Sequence, residues 1–347
     1  CIVNLIFCFV YLYTFWSIWY KKQNMENFLY QKTKEQIIVL RRVMNNKTEF
    51  IAIVGKPNVG KSSLLNKILG QKVSIVSKKP QTTRTRIMGI YTKNEVQLVF
   101  IDTPGLHKPR TNLGEYMVKS VRESIGGVDT CLLVVNAGEK LLPSDIEFID
   151  KFKASNIPAV LAINKIDLLI DKSSIMEQIE EYSRIFKFEA VIPLSAKTGD
   201  GVDELINELK GLAAPSEHFF DNDALTDQPE RVVAAEIIRE KILRLTDKEI
   251  PHGTAVVVEK MRDRKDKPEI TDIDAVIYCE KNSHKGIIIG KNGSMLKRIG
   301  SYARRDMENF FSCKINLNIW VKVKEDWRNR ESILRSLGYD NKNFSEE

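Results

Sequence analysis

The sequence lacks the cysteine patterns of metal-binding and disulfide-rich proteins. Its 347 residues include five cysteines, which are scattered and form no C-x-x-C pair. This excludes a zinc ribbon and a disulfide framework. Internal repeats and long low-complexity segments are also missing, and the composition, 43% hydrophobic and 29% charged, is that of an ordinary globular protein. The length predicts about two domains, and the net charge of +7 indicates nucleic-acid binding only if it is concentrated on one surface.

Charge is absent from the first twenty residues, a run long enough to span a bilayer as a helix. One interpretation is a membrane anchor with Lys21 and Lys22 as its cytoplasmic basic flank. A second is a targeting segment, and a third is translation from upstream of the true start. Because the chain does not begin with Met, we favour the third, with Met25 or Met44 as the initiator. Residues 1–47 are then an extension outside the natural protein, apolar over 1–20.

The segment 55–62 has the pattern G-x-x-x-x-G-K-S. It follows the apolar run 50–54, typical of a buried strand, and precedes a helical pattern at 63–69 that ends at Gly70. Strand, glycine loop and helix place backbone N–H groups around a phosphate chain, with Lys61 on the β- and γ-phosphates and the Ser62 hydroxyl on magnesium. The nucleotide-binding residues predicted here are Gly55, Lys56, Pro57, Asn58, Val59, Gly60, Lys61, Ser62 and Ser63.

A second motif, D-x-P-G, follows the strand-like run 96–101. Asp102 is expected to hold the magnesium shell, and the Gly105 N–H to meet a γ-phosphate. Between the two motifs, the polar run 80–86 is typical of a switch loop, in which Thr83, or alternatively Thr82, would complete the metal shell. The predicted nucleotide-binding residues of the second motif are Asp102, Thr103, Pro104, Gly105 and Leu106.

A third motif identifies the base. The apolar strand 159–163 leads into N-K-x-D at 164–167, where the Asp167 carboxylate accepts from the ring N–H and the exocyclic amine of guanine. Adenine lacks this donor pair and would leave the carboxylate unpaired, so the predicted ligand is GTP or GDP. A fourth segment, at 195–197, should bring the Ala196 N–H to the guanine oxygen. The predicted base-side residues are Asn164, Lys165, Asp167, Ser195, Ala196 and Lys197.

The second half of the chain has a different pattern. After an acidic, turn-prone stretch at 215–230, the order helix, strand, strand, helix, helix, strand is predicted. The G-x-x-G loop at 290–293 precedes a helix, and between 285 and 305 six basic residues occur with no acidic one. This order resembles a type II KH domain, a binder of single-stranded RNA. The RNA-binding residues predicted here are Gly286, Ile287, Ile289, Gly290, Lys291, Asn292, Gly293, Lys297 and Arg298, with Ile288 as a further groove residue.

From about Thr48 to Tyr339 the chain resembles the Era family of bacterial GTPases, through GKPNVGKSSLLN, KKPQTTR, FIDTPGLHK, NKID, GKNG and KVKEDWRN. The resemblance implies an α/β P-loop GTPase domain with a mostly parallel sheet at 48–214, a linker at 215–230, an α+β KH domain at 231–340 and a tail at 341–347. It implies a monomeric, cytoplasmic GTPase with Mg²⁺ as cofactor, and Lys61, Thr83 and Gly105 as the catalytic residues. Such a protein would bind the 3′ end of 16S rRNA, act in 30S subunit assembly and associate peripherally with the inner membrane.

One residue departs from the pattern of many GTPases. Leu106 stands where a glutamine would orient the attacking water. In related GTPases an asparagine at the position of Asn58 binds K⁺, so Asn58 is a potassium candidate, although asparagine also suits a tight loop. His107 is a weaker candidate for positioning water. Two alternatives stay open: an RNA-binding switch in which hydrolysis is incidental, and a membrane-tethered GTPase using residues 1–20.

Overall fold

The computed structural model of the protein describes residues 45–77, 87–103, 112–113, 127–171, 173–247, 250–337 and 339. The extension up to Met44, the predicted switch loop at 80–86, the D-x-P-G motif from Pro104 onward, and the tail at 341–347 lie outside these residues. The predicted domain boundaries remain predictions.

The first sheet has seven strands within the described residues. Six follow the order β2-β3-β1-β4-β5-β6, and β7 pairs with β1. All neighbouring pairs on that path are parallel except β2 with β3, and β7 is antiparallel to β1. The strands are β1 (Lys47–Val54), β2 (Ile87–Lys93), β3 (Val96–Asp102), β4 (Thr130–Asn136), β5 (Ala159–Asn164), β6 (Ala190–Leu194) and β7 (Ala214–Pro215).

Helices cover both faces of this sheet, which explains why its strands are continuous apolar runs. Ile51 and Ile53 of β1 belong to one core cluster, while Ala52 and Val54 belong to another on the opposite face. Each fully buried Ile or Val contributes about 1.5–3 kcal/mol to folding. The helices are α1 (Lys61–Leu69), α2 (Pro143–Ser155), α3 (Ser173–Ile185) and α4 (Val202–Leu212). The prediction of an α/β P-loop domain is confirmed.

Residues 216–229, which lie within the predicted linker at 215–230, make hydrogen bonds and packing contacts with the first domain. The side-chain oxygen of Gln97 accepts the N–H groups of Phe219 and Phe220 at 2.9 and 3.1 Å. Farther along, the Ile90 N–H donates to Leu225 O, and Phe219 packs edge-on against Phe50. Turn-forming residues predicted a connection here, but only the tertiary structure provides the exposed strand edge that fixes it.

The second domain is a three-stranded sheet, order β10-β9-β8, with helices on one face. Strand β9 is antiparallel to β8 and parallel to β10, and the predicted order of elements is confirmed as a KH fold. The elements are α5 (Glu230–Leu245), β8 (Thr254–Asp263), β9 (Ile270–Cys279), α6 (Asn282–Ile289), α7 (Ser294–Phe311), β10 (Lys314–Val323) and α8 (Glu331–Ser336). Strand β8 extends through Arg262 and Asp263, so the charged residues at these positions belong to the first hairpin.

In the described part of the chain, no helix combines the length and apolar character needed to cross a bilayer. The apolar run 1–20 lies outside that part.

Candidate functional site

The phosphate loop joins β1 to α1 through two glycines that no other residue could replace without displacement. Gly55 has φ 142°, and a Cβ there would lie 2.3 Å from Val134 O. Gly60 has φ 103°, and its Cβ would lie 2.3 Å from the Asn164 amide nitrogen. Gly60 caps α1 without a side-chain bond, and the first turn of the helix has no acidic residue. The loop therefore presents a helix N-terminus suited to an anion.

Lys61 is held inside this loop. Its Nζ donates to Gly55 O at 2.8 Å and Lys56 O at 3.1 Å, and the residue is 7% exposed. Burial lowers the pKa of Lys61 to about 8, although Asp102 partly opposes this. The acceptors described for this buried ammonium are neutral carbonyls, so its charge is available to bind phosphate oxygens.

Asp102 ends β3 beside the loop and is fully buried. Its Oδ2 accepts the Ser62 hydroxyl at 2.7 Å and the Ser74 hydroxyl at 2.8 Å. A hydroxyl and a carboxylate in direct contact form an oxygen donor set of the kind that Mg²⁺ prefers. Ser74 belongs to no motif, and nothing in the sequence pattern predicts its contact with Asp102.

Two residues of the predicted set have structural bonds of their own. The Thr103 hydroxyl donates to Ile53 O at 2.8 Å, which ties β3 to β1. The Lys56 ammonium pairs with Glu139, which also accepts from Asn136. The Lys56 side chain thus points to the loop after β4, which contains Glu139, while the Lys56 carbonyl accepts from Lys61.

The base loop is organised by Asn164, which is 2% exposed. Its amide donates to Val59 O at 2.7 Å, and its Oδ1 accepts the N–H groups of Lys165 at 2.8 Å and Ala196 at 3.0 Å. Asn164 therefore connects the phosphate loop to both base segments. Since the Ala196 N–H is bonded to Asn164, a contact with the guanine oxygen would have to share or replace that bond.

Asp167 is fixed from the fourth segment. The Ser195 hydroxyl donates to its Oδ1 at 2.7 Å, and Lys197 Nζ lies 3.7 Å from Oδ2. The hydrogen bond from Ser195 is the main cause that lowers the pKa of Asp167, so the carboxylate is ionised and acceptor-only at neutral pH.

The Lys165 side chain crosses the site. Its Nζ donates to Asn58 O at 2.6 Å, so its aliphatic stem spans from the base loop to the phosphate loop. Asn58 has φ 64°, a left-handed conformation that asparagine adopts more easily than most residues. This geometry gives Asn58 a structural reason to be asparagine, whether or not it binds an ion.

A cavity of about 1080 Å³ opens between the phosphate and base loops. It is lined by Asn58, Gly60, Ser63, Asn164, Lys165, Asp167, Ala196 and Lys197, and also by Val76, Ser77, Leu168, Leu243, Arg244 and Asp247. The last three belong to the second domain, and no sequence signal indicated them. Thr82, Thr83, Pro104, Gly105, Leu106 and His107 lie outside the described residues.

The G-x-x-G loop of the second domain lies between α6 and α7. Gly290 has φ 73°, and a Cβ there would lie 2.7 Å from Met295 Cβ and 2.8 Å from Met295 N. Gly293 has φ 75°, but its Cβ would meet open space. One glycine is thus required by packing, while the other leaves an open approach to the backbone ahead of α7.

The basic residues around this loop are concentrated on the surface, as predicted. Those exposed are Lys291, Lys297, Arg298, Arg304 and Arg305. Tyr302 is also exposed, and the Arg305 guanidinium lies 5.6 Å from the centre of its ring. Tyr302 is four residues after Arg298 on the same helix, and this spacing could have indicated Tyr302 as a candidate for stacking on a base.

The prediction that Ile287, Ile288 and Ile289 all line a groove was wrong for Ile288. Ile288 is fully buried in the domain core, and Ile289 packs against that core from a half-buried position. Ile287 is 50% exposed. The run forms the helix α6, so its side chains point in different directions. Gly286 lies on the same helix.

Comparisons with known proteins agree with these two sites. The family model "50S ribosome-binding GTPase" matches residues 50–165, and the KH domain model matches residues 249–328. GTPase Era of Clostridioides difficile is 48% identical over 296 residues, 85% of this chain and 99% of that protein. GTPase Era of Ruminiclostridium cellulolyticum is 50% identical over 301 residues, 86% of this chain and 100% of that protein.

Two solved structures are similar over most of the chain. A point variant of Aquifex aeolicus Era bound to GDP.AlF4- matches with a TM-score of 0.81 and 39% identity, covering 84% of this chain and 99% of that one. Era in complex with MgGDPNP and nucleotides 1506-1542 of 16S ribosomal RNA matches with the same TM-score and identity, covering 85% and 99%.

Proposed function

The chain is a GTPase of the Era family, and on this premise we propose that it binds the 3′ end of 16S rRNA through its KH domain and acts in 30S subunit assembly. The observation that carries the proposal is the glycine loop at 290–293, which is open at Gly293 and leads into a helix with exposed basic side chains. A guanine-nucleotide site on the same chain gives this RNA contact a means of control. The relative crystallised with MgGDPNP and 16S rRNA nucleotides supports it.

In the nucleotide site we assign Lys61 to the phosphate oxygens, which its buried position and neutral partners favour. Ser62 and Asp102 fit Mg²⁺, since their oxygens lie 2.7 Å apart beside the loop. When bound, Mg²⁺ would neutralise charge on the β- and γ-phosphates. Thr83 as a further ligand and Gly105 as a γ-phosphate contact remain predictions.

We assign guanine recognition to Asp167. Ser195 holds its carboxylate and keeps it ionised, while Asn164 fixes the two base segments relative to the phosphate loop. A carboxylate held in this way accepts from the two adjacent donors of guanine and leaves adenine without a partner.

In the KH domain we assign RNA backbone contacts to the N–H groups at 291 and 292 and to the exposed side chains of Lys291, Lys297 and Arg298, because the Gly293 N–H already donates to Gly290 O at 3.2 Å. Ile287 is the groove residue that the structure leaves exposed. Phosphate contacts of this kind weaken as salt rises, because counterions are released on binding.

The test compares RNA affinity in the GDP state and in a state with a non-hydrolysable GTP analogue, using a 3′-terminal 16S rRNA fragment. Gly293→Asp should abolish RNA binding in both states and leave GDP affinity unchanged. Gly211 is exposed and a Cβ there also meets open space, so Gly211→Asp controls for an added carboxylate in the first domain. RNA affinity that is unaffected by Gly293→Asp would contradict the proposal.

Potassium binding by Asn58 is a further proposal. The loop exposes Asn58 at the rim of the cavity, where an oxygen ligand could hold a monovalent cation beside the phosphates. Faster GTP turnover in K⁺ than in Na⁺ at equal ionic strength is expected. Equal rates would reject it and leave the left-handed loop conformation as the reason for Asn58.

Hydrolysis that is incidental to an RNA-binding switch is the second candidate, favoured by Leu106 in place of a water-orienting glutamine. Single-turnover phosphate release separates the two, because an assembly factor should be accelerated by rRNA or the small subunit and a pure switch should not.

We also propose a monomer in the cytoplasm. Peripheral membrane association and a tethered form remain predictions that membrane fractionation tests.

A further inference from the structure

The second domain forms part of the wall of the nucleotide cavity. Leu243, Arg244 and Asp247, at the end of α5, line it together with Val76 and Ser77 of the first domain. The Arg244 guanidinium donates to Val76 O through two nitrogens, each at 3.2 Å. The wall opposite the base loop is therefore built from both domains.

One carboxylate fixes this wall. Glu240 of α5 is fully buried, and its Oε1 accepts the Val76 N–H at 3.2 Å and pairs with Arg244 at 2.9 Å. Its Oε2 pairs with Lys241 at 2.7 Å and with Lys72 of the first domain. Glu240 thus holds the first domain at two points, a side chain and a backbone N–H four residues later.

A second carboxylate completes the cluster. Asp306 of α7 lies 2.7 Å from Lys72 and also pairs with Lys241. Burial alone would raise the pKa of the Glu240 carboxyl, but hydrogen bonds from Lys241 and Lys72 outweigh it and lower that pKa. Glu240 is therefore ionised at neutral pH.

On the other side, the same segment is fixed to the magnesium carboxylate. Asn66 Oδ1 accepts the N–H groups of Val73 and Ser74 at 2.9 Å, and its amide donates to Ser74 O. The Ser74 hydroxyl donates to Asp102. Residues 72–77 thus connect Asp102, through Ser74, to Glu240, through Lys72 and Val76.

We propose that Glu240 is a positioning residue for the nucleotide site: through Lys72 and the Val76 N–H it holds residues 72–77 against the cavity, so that the RNA-binding domain slows release of the nucleotide. The inference rests on the nucleotide site of the proposed function. If this contact breaks, residues 72–77 keep the Arg244 bonds to Val76 O but lose the Lys72 pair and the bond from the Val76 N–H, and the cavity opens on that side. Glu240 needs no contact with the nucleotide for this effect.

The charges in this cluster predict different effects for the removal of Glu240 and of Lys72. Without the Glu240 carboxylate, the buried Lys241 and the half-buried Lys72 would share Asp306 alone, which leaves excess positive charge between the domains. Without Lys72, Glu240 keeps Lys241 and Arg244 as partners. Lys72→Met therefore removes the cross-domain pair while the buried carboxylate stays compensated, and it is the milder variant.

The experiment measures the dissociation rate of a fluorescent GDP from the full chain. Lys72→Met should accelerate release about tenfold, which lies within the range of about 5–150-fold that is typical of coupling between two sites. Lys72→Arg should restore the wild-type rate, because Arg keeps the charge and can bond both carboxylates. The matched control is Lys151→Met: Lys151 has 27% side-chain exposure against 30% for Lys72, and it pairs with Glu147 on its own helix.

Glu240→Gln should accelerate release further, with Glu331→Gln on the exposed surface of α8 as its control. If Glu240→Gln does not fold, Lys72→Met still decides the question. A wild-type release rate in Lys72→Met would overturn the inference and leave the cluster as a joint between domains. If the unaltered chain does not bind GDP, the proposed function itself is wrong.

Discussion

The two glycines of the KH loop allow one prediction to be worked out from geometry. Gly290 and Gly293 both have a left-handed φ, 73° and 75°, and belong to the same short motif. They differ in what a side chain would meet, because Gly290 faces the backbone nitrogen of Met295 at 2.8 Å and Gly293 faces open space. Alanine at Gly293 therefore meets backbone strain alone, while alanine at Gly290 meets backbone strain and a packing clash.

The expected magnitudes follow from these contacts. A left-handed alanine costs about 1–2 kcal/mol at Gly293, where ψ is 9°. At Gly290, where ψ is 173°, the backbone lies in a region that is essentially restricted to glycine, and alanine costs about 1–3 kcal/mol. Overpacking against Met295 adds about 1–3 kcal/mol for Gly290→Ala alone. We expect Gly290→Ala to lose about 2–6 kcal/mol of KH-domain stability, and Gly293→Ala about 1–2 kcal/mol.

Urea unfolding followed by tryptophan fluorescence measures this loss. In a chain begun at Met44 the remaining tryptophans are Trp320 and Trp327, both in the second domain, and Trp327 is fully buried. GDP affinity, measured in parallel, should stay unchanged in both variants. Equal stability losses would refute the packing argument.

Three further predictions concern the first domain. Asp167→Asn should shift nucleotide preference from GTP towards XTP in competition binding, and an unchanged preference would contradict base reading by Asp167. Asn164→Ala should weaken GDP binding at least tenfold by calorimetry, because unpairing one buried group costs about 1–3 kcal/mol; native affinity would refute its connecting role. Burial raises the pKa of Glu49, so its contribution to stability is full at low pH and is lost as pH rises. Relative to the wild type, Glu49→Gln should raise the free energy of unfolding more at pH 7 than at pH 4 in urea unfolding. A pH-independent difference between the two proteins would contradict this.

Much of the fold followed from the sequence, because its signals are local. The apolar run before Gly55 and the helical spacing after Lys61 each require only neighbouring residues, and together they predicted a P-loop domain. The order of elements after residue 230 predicted the KH fold in the same way. The burial of Ile288 in the core did not follow from the sequence, since a run of three isoleucines does not show which of them faces the core.

The linker was the second element that the sequence described incompletely. Its composition predicted a connection, but Phe219 and Phe220 bind to Gln97, which lies more than a hundred residues earlier. Gln97 is fully buried on β3, inside the sheet, so this contact depends on the folded sheet, and local composition carries no information about it.

The sequence by itself predicted the ligands of this protein, because the phosphate loop, the base loop with Asp167 and the glycine loop at 290–293 are short motifs whose chemistry depends on residue type and spacing. Only the tertiary structure decided how the two sites are joined. Lys72 and Glu240 belong to no motif and are far apart along the chain, and they meet because α5 lies against the nucleotide cavity. Contacts of this kind depend on how folded surfaces meet, which local pattern does not encode.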